Sequence, residues 1–377
     1  MADLEYYRKE LDKVDAEIVK LFEERMDLID GVTEYKIEHG REVLDPAREE
    51  RKLSSVADQT SSAFNREGIQ ELFRQLMAIS RKKEYDVMTR AGAALPFDQY
   101  EQVDSLDFHK ARVVFQGVEG AYSFEAMKTF FDDSITSSKV KTWKDAMQMV
   151  AGGSADYAVL PIENTTAGSV SDMYDLLPQF ENYIVGEQII RIDHMLMGLQ
   201  EAKLSDIRKV YSHPQGLAQC KNFLDGHPDW ERVPVLNTAM GAEKVARDGD
   251  ISQAAIASRT AAEYFGLKIL QEGGMSAEKN ATRFFIVGRK KIFRRDAGKI
   301  SICFGLPHET GTLYGMLSHI AFNGLNMTKI ESRPVPERPF TYRFFIDFEG
   351  NLSDPAVQNA LRGIQEEAGD LRILGNY

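Results

Sequence analysis

Cysteine is nearly absent: Cys220 and Cys303 are the only two in 377 residues, and they lie far apart. Two distant thiols exclude a disulfide framework or a cysteine-built zinc knuckle, both of which need closely paired sulfurs. Histidine is scarce as well, seven in all, with no pair at metal-ligand spacing. Positive charge is in deficit, with 46 Lys and Arg against 58 Asp and Glu and a net charge of −12. That balance argues against a nucleic acid or an anionic membrane as the main partner, since both require basic faces. Basic residues therefore matter where they cluster against the trend. No apolar run approaches the ~20 residues of a membrane-spanning helix. The opening MADLEYYRKE is too charged for a secretory leader. What is present is an ordinary globular composition, 43% hydrophobic and 28% charged, enough for two or three domains. The expectation is a cytoplasmic protein that uses neither metal nor cofactor and binds neither nucleic acid nor membrane.

The stretch Val159–Val170, VLPIENTTAGSV, has the most unusual local chemistry. An apolar run reads as the end of a buried strand, which Pro161 is expected to break. Glu163, Asn164, Thr165, Thr166 and Gly168 then follow, short polar residues at a strand mouth where small ligands of α/β sheets bind.

Residues 1–90 read as helical. Leu4, Tyr7, Leu11, Val14, Ile18, Leu21, Leu28, Val32 and Tyr35 recur at spacings of three and four, predicting one helix from about Leu4 to Glu38. At ~1.5 Å per residue it is about 50 Å long. The rest of the segment is too small to cover such a rod, which predicts a dimer. Arg25 fills a seam position where an apolar residue is due. Lys36, eleven residues on, projects from the same face at ~100° per residue. Arg8 points elsewhere, as expected of a residue serving a partner subunit. Asp45-Pro46 starts a second helix as cap and first-turn proline, and Asp45, Arg48 and Glu49 share one face. In a third helix the Phe73–Met77 ridge continues into Ser80 and Glu84. Residues 91–108 read as a linker.

From 109 to about 290, strands and helices alternate. Arg112–Phe115, Ala155–Leu160, Val210-Tyr211, Ala254–Ala257 and a segment around Asn280–Val287 read as strands. A glycine turn, Gly117–Ser123, feeds a helix but lacks the GxGxxG spacing of dinucleotide sites. Ser212-His213-Pro214-Gln215 opens another helix, with His213 either an acid or a capping residue. Residues 298–377 read as βαββαβ, a ferredoxin-like order.

Taken together, these residues identify a family. Arg8, Arg25, Lys36, Asp45, Arg48, Glu49 and Ser80 match the active-site pattern of the all-helical chorismate mutases. GxxGxYS, PIENTTAGS, SHPQ and TRFF, in that order, resemble the prephenate dehydratases. Gly311-Thr312-Leu313-Tyr314 and Glu331-Ser332-Arg333-Pro334 resemble the phenylalanine-binding motifs of their ACT regulatory domains, with Thr312 in place of the more usual alanine. The chain as a whole resembles the bifunctional chorismate mutase/prephenate dehydratases.

The resemblance implies an all-α mutase domain (1–90, an intertwined long-helix dimer) and a two-lobed α/β dehydratase domain (109–290) like type II periplasmic binding proteins. An α+β ACT domain (298–377) would follow. It implies chorismate and prephenate as substrates and phenylalanine as a feedback inhibitor of a homodimer or dimer of dimers. In the mutase, Arg8 of the other subunit and Arg25 would hold carboxylates, Lys36 would donate to the ether oxygen, and Arg48 and Glu49 would orient the ring hydroxyl. Glu84 stands where bacterial relatives carry Gln; only its protonated form can donate, which predicts a mutase favoured by acid. In the dehydratase, Thr282 would hydrogen-bond the departing hydroxyl, within a network of Asn164, Ser212 and Gln215. Glu163 would orient that network and Arg283 would balance charge. Rival readings are a dehydratase with a weak or inactive mutase, and a non-catalytic sensor.

Overall fold

Asp3 starts the first helix by accepting the Tyr6 backbone N–H at 2.8 Å, and the three-and-four apolar spacing carries it through α1 (Leu4–Glu38). Asp45 caps α2 (Pro46–Ala57) through the Arg48 N–H at 2.9 Å, with Pro46 at the first position. Ser62 caps α3 (Ala63–Arg90). The computed structural model describes residues 3–97, 100–273, 280–335, 338–368 and 370–377. It divides into two compact units, one joining residues 1–99 to 302–372, the other comprising 100–301 with 373–377.

In the first unit α3 is the centre. It packs on α1, on α2 and on the C-terminal helix Pro355–Ala368, and buries Met77, Ser80, Lys82, Glu84 and Tyr85. The helix Thr312–Phe322 packs in turn on Pro355–Ala368. The C-terminal segment follows the βαββαβ order expected, with Met327–Pro334 antiparallel to Tyr342–Glu349. By contrast α1 buries only Met26 and Thr33. Leu4, Leu11, Ile18 and Leu28 on it are 64%, 61%, 53% and 73% exposed, so the apolar stripe read from the sequence has no cover within the chain.

The second unit holds two α/β lobes. One sheet runs Tyr183–Arg191, Ala281–Gly288, Tyr157–Asn164, Arg112–Gln116, Thr136–Val140; the other runs Lys268–Gln271, Met195–Gly198, Gln253–Ala257, Lys209–Ser212, Glu231–Pro234. Phe115, Met127, Val159 and Ile286 lie in the core of the first, and Met197, Ala242 and Ala255 in that of the second. The lobes touch closely at Gly120, whose φ of +82° and whose missing Cβ, which would lie 2.8 Å from the Ala261 Cα, both require glycine.

Several expectations change here. Pro161 does not break its strand, which continues to Asn164; the register against Ala281–Gly288 shifts at Pro161, a bulge that absorbs the missing N–H. The helix opened by Pro214 is two short ones, Pro214–Gln219 and Lys221–Asp225. Within the expected linker, Glu101–Val103 pairs in parallel with Ile292–Arg294, so its second half is built into the second unit. Among the described residues no helix is long and apolar enough to cross a membrane, and no cluster of His, Cys, Asp and Glu could hold a metal ion.

Candidate active sites

In the first unit the α1, α2 and α3 faces enclose a cavity of about 770 Å³. Arg25, Lys36, Asp45, Arg48, Glu49, Ser80 and Glu84 all line it, so seven of the eight residues expected there converge. Lys36 Nζ donates to Glu84 Oε2 and to the Val43 carbonyl, each at 2.7 Å. The Arg25 guanidinium donates to Ser80 Oγ and, at 3.2 Å, to the Leu76 carbonyl. Asp45 Oδ1 is engaged as the α2 cap. Arg8 lies outside the cavity; seventeen residues before Arg25 on one straight helix, it is about 26 Å away at ~1.5 Å per residue.

The lining also includes Arg51, Lys52 and Arg81, none of them singled out from the sequence. The signal was there for each. Arg51 and Lys52 follow Arg48 by three and four residues on α2, and Arg81 falls in the Met77, Ser80, Arg81, Glu84 stripe of α3. Six cations face three carboxylates, a local excess of positive charge in a chain of net charge −12. Burial pushes the Glu84 carboxyl above its ordinary range, against the hydrogen bond and charge of Lys36 and with the help of Glu366. Burial likewise lowers Arg25, partly offset by Glu84.

In the second unit the register places Thr282 beside Asn164 on adjacent strands. Asn164 Oδ1 accepts the Thr166 and Ala167 backbone N–H groups at 3.0 and 2.9 Å, which fixes the orientation of the amide. Its Nδ2 therefore donates, to Asn280 Oδ1 (2.8 Å), Thr282 Oγ1 (2.9 Å) and the Ala281 carbonyl (3.1 Å). Thr282 Oγ1 thus accepts from Asn164, and its own hydroxyl proton has no acceptor among the described residues. Thr166 Oγ1 extends the cluster by donating to Asn164 Oδ1 at 2.7 Å.

The other lobe reaches this cluster through Gln219 rather than Gln215. Gln219 Nε2 donates to Thr166 Oγ1 at 2.8 Å, and its Oε1 lies 2.8 Å from His194 Nε2. Tyr122 Oη lies 3.1 Å from His194 Nδ1. Burial, opposed by the Gln219 bond and Asp193, lowers the His194 pKa, so a neutral ring donates to Gln219 through Nε2. The Gln215 side chain is exposed and its backbone N–H donates to His213 Nδ1 at 3.2 Å, which makes His213 the helix cap. Ser212 is fully buried and its hydroxyl donates to the Ile256 carbonyl at 2.7 Å, inside the second lobe.

Glu163 and Arg283 pair with each other at 3.3 Å, one residue along from Asn164 and Thr282. Side chains alternate across a sheet, so this pair faces away from the Asn164–Thr282 pair. Arg283 also bridges to Glu187 at 3.3 Å, and Lys299 reaches the same carboxylate at 2.5 Å. Thr166 is one of the polar residues read at the strand mouth, whereas two members of the cluster escaped the sequence reading: Gln219, one helical turn after Gln215, and Asn280, just before the strand that carries Thr282.

A smaller cavity of about 300 Å³ sits in the C-terminal module, where Gly311, Thr312 and Leu313 begin a helix beside Phe340, Tyr342 and Phe344. Gly311 takes a φ of +87°, open to glycine. Ser332 and Pro334 are the cross-strand partners of Phe344 and Tyr342 and share their face; Glu331 and Arg333 pair with Phe345 and Arg343 on the other.

Residues 113–292 match the family model of prephenate dehydratase, and residues 7–85 that of chorismate mutase type II. A bifunctional chorismate mutase/prephenate dehydratase of Enterobacter agglomerans is 32% identical over 98% of this chain and 94% of its own. Among solved structures, prephenate dehydratase of Arthrobacter aurescens in complex with L-Phe is 30% identical, with TM-score 0.65 over 71% of this chain and 89% of that one. A protein described as GqqA, a quorum quenching acylase, is 31% identical, with TM-score 0.64 over 70% of this chain and 96% of that one. This chain belongs to the bifunctional chorismate mutase/prephenate dehydratases.

Proposed function

We propose that the two candidate sites divide the family's two reactions. The cationic cavity on α1–α3 takes chorismate, and the Asn164–Thr282 cluster takes prephenate. Chorismate rearranges without an acid, a base or a covalent intermediate. Catalysis there means holding two carboxylates and stabilising charge on the breaking ether oxygen. Arginines suit carboxylates by their planar fork of donors, and Lys36 is placed to supply the ether-oxygen contact. Lys36 engages Glu84 at 2.7 Å in the free site, so substrate must displace or share that contact. The same pairing is what favours the second reading, a weak mutase beside a working dehydratase.

Prephenate loses carbon dioxide and hydroxide together to give aromatic phenylpyruvate. The observation that carries the dehydratase assignment is the hydroxyl of Thr282, which accepts from Asn164 and keeps its own proton to donate. A threonine is a poor acid by pKa, so its role is that of an oriented donor to the leaving hydroxyl. Acyl hydrolysis would call for a nucleophile beside a base. Around the Asn164–Thr282 cluster, Ser212 donates to Ile256 and His194 lies on Gln219 and Tyr122, so these two form no such pair.

The aromatic-lined cavity at Gly311–Leu313 supports phenylalanine as the regulator of an ACT-type module, and the uncovered α1 stripe supports a dimer in which Arg8 completes the partner's mutase site. No metal or cofactor enters either proposed reaction, and the proposed compartment is the cytoplasm. The test is incubation of the full chain with chorismate, with prephenate and phenylpyruvate followed together. Thr282→Ala should accumulate prephenate with phenylpyruvate formation lost. Continued phenylpyruvate formation in that variant would remove Thr282 from the mechanism.

A further inference from the structure

The cavity on α1–α3 is lined by residues of the N-terminal segment, and the C-terminal module braces that lining from behind. The helix Pro355–Ala368 ends in Glu366 and Glu367, and both reach into the structure around that cavity. Arg81 donates through Nε and Nη2 to Glu367 Oε1 at 3.1 and 3.0 Å, and through Nη1 to Glu49. Arg81 thus stands between a carboxylate of the site and one of the C-terminal module. His319 Nε2 approaches the same Glu367 oxygen at 3.1 Å. Gly363, one turn before Glu367, lets that imidazole in: a Cβ there would lie 2.3 Å from His319 Cε1. Glu366 acts on the other wall. Its Oε1 accepts the Leu44 N–H at 2.8 Å, next to the Val43 carbonyl held by Lys36, and its Oε2 accepts the Tyr85 hydroxyl.

We propose that Glu366 and Glu367 are positioning residues for the chorismate mutase site. Glu367 holds Arg81, and through it the orientation of Glu49; Glu366 fixes the 43–45 loop from which Lys36 and the α2 cap take their places. Without Glu367, Arg81 has Glu49 as its remaining carboxylate partner and draws it from the substrate. Lys82, donating to Ser318 at 3.0 Å, and Asp86, accepting from Asn359 at 3.3 Å, extend the same contact along α3. Four charged groups bear on Glu84 from the elements around it: Lys36 and Arg25 on α1, Arg81 on α3 and Glu366 on Pro355–Ala368. Removing the Glu366 charge therefore favours ionisation of Glu84.

This inference rests on the assignment of the mutase to this cavity, and the experiment separates the two. Full-length Glu367→Ala, Glu367→Gln, Glu366→Gln and Lys36→Ala are assayed with chorismate for mutase and with prephenate for dehydratase. Glu367→Ala should lower mutase kcat/KM roughly ten- to hundredfold, the scale of a misplaced site group. Glu367→Gln, which still accepts hydrogen bonds, should recover part of it, and dehydratase kcat should not change. Glu366→Gln should move the inflection of the mutase pH profile to lower pH, a shift that a merely structural contact would not produce. Wild-type mutase kinetics in Glu367→Ala, or an unmoved profile in Glu366→Gln, overturns the proposal even if one variant fails to fold. If Lys36→Ala also keeps full mutase activity, the cavity itself is misassigned; if Lys36→Ala is inactive, only the positioning role falls.

Discussion

The two candidate sites use opposite materials. The α1–α3 cavity is made of long charged side chains on helices, with Lys36, Glu84, Arg81 and Glu49 joined in ion pairs. The Asn164–Thr282 cluster is made of short amides and hydroxyls on strand ends, tied by hydrogen bonds near 2.8 Å. On the proposed assignment, the contrast follows from the chemistry. A rearrangement with no proton to move needs fixed charge, and long cations on rigid helices provide it. A departing hydroxyl needs one oriented donor, and neutral groups hold it without competing for the substrate carboxylates.

Lys36→Ala breaks the charged site most severely. We expect mutase kcat/KM to fall on the order of 10²–10³, the scale of losing one oriented donor to developing charge, with prephenate turnover intact. Steady-state assays on each substrate check the separation. Gln219→Ala cuts the link between lobes and should lower dehydratase kcat by about tenfold, the equivalent of one ordinary hydrogen bond of ~1.4 kcal/mol. Gln215→Ala, one turn away and exposed, should leave it near wild type, and equal losses in both would erase the distinction drawn between them.

A subtler comparison concerns pH. Burial raises the Glu84 pKa, so its protonated, donating form persists to higher pH than in an exposed glutamate. Mutase activity should then decline as pH rises through that raised value, while Glu84→Gln, a donor at every pH, flattens the profile. A wild-type profile already flat would mean that Glu84 donates nothing. Ser212→Ala is expected to act on stability more than on activity. It removes a buried bond to the Ile256 carbonyl and should cost about 1–3 kcal/mol of stability, read as a lower Tm, with modest change in dehydratase kcat.

Features set by nearby residues were legible in the sequence. Helix α1 runs over the residues its apolar spacing marks, and the eleven-residue interval from Arg25 to Lys36 places both on one cavity. Features set by distant partners were not. Pro161 stays within a strand because the neighbouring strand shifts register, which no local signal reports. Gln219 matters because one lobe approaches Thr166 of the other, whereas Gln215, in the recognisable SHPQ, faces outward. Glu163 and Arg283 sit inside recognisable motifs, yet strand alternation turns them from the Thr282 face. The association of residues 1–99 with 302–372 spans too much chain for any periodicity to announce it.

That association has a consequence for how the protein is made. The first unit is interrupted by roughly 200 residues, a detour whose closure entropy grows only with the logarithm of its length. Time is the larger constraint. A ribosome adding ~5–20 residues per second spends on the order of 10–40 s on that detour. Throughout it α3 is available while Glu366, Glu367 and Arg362, which bonds Thr89 and the Ala94 carbonyl, have yet to be made. The helices of residues 3–90 are therefore completed only by residues made about 200 positions later, and a premature stop between residues 302 and 361 removes the contacts that Arg362, Glu366 and Glu367 make with them.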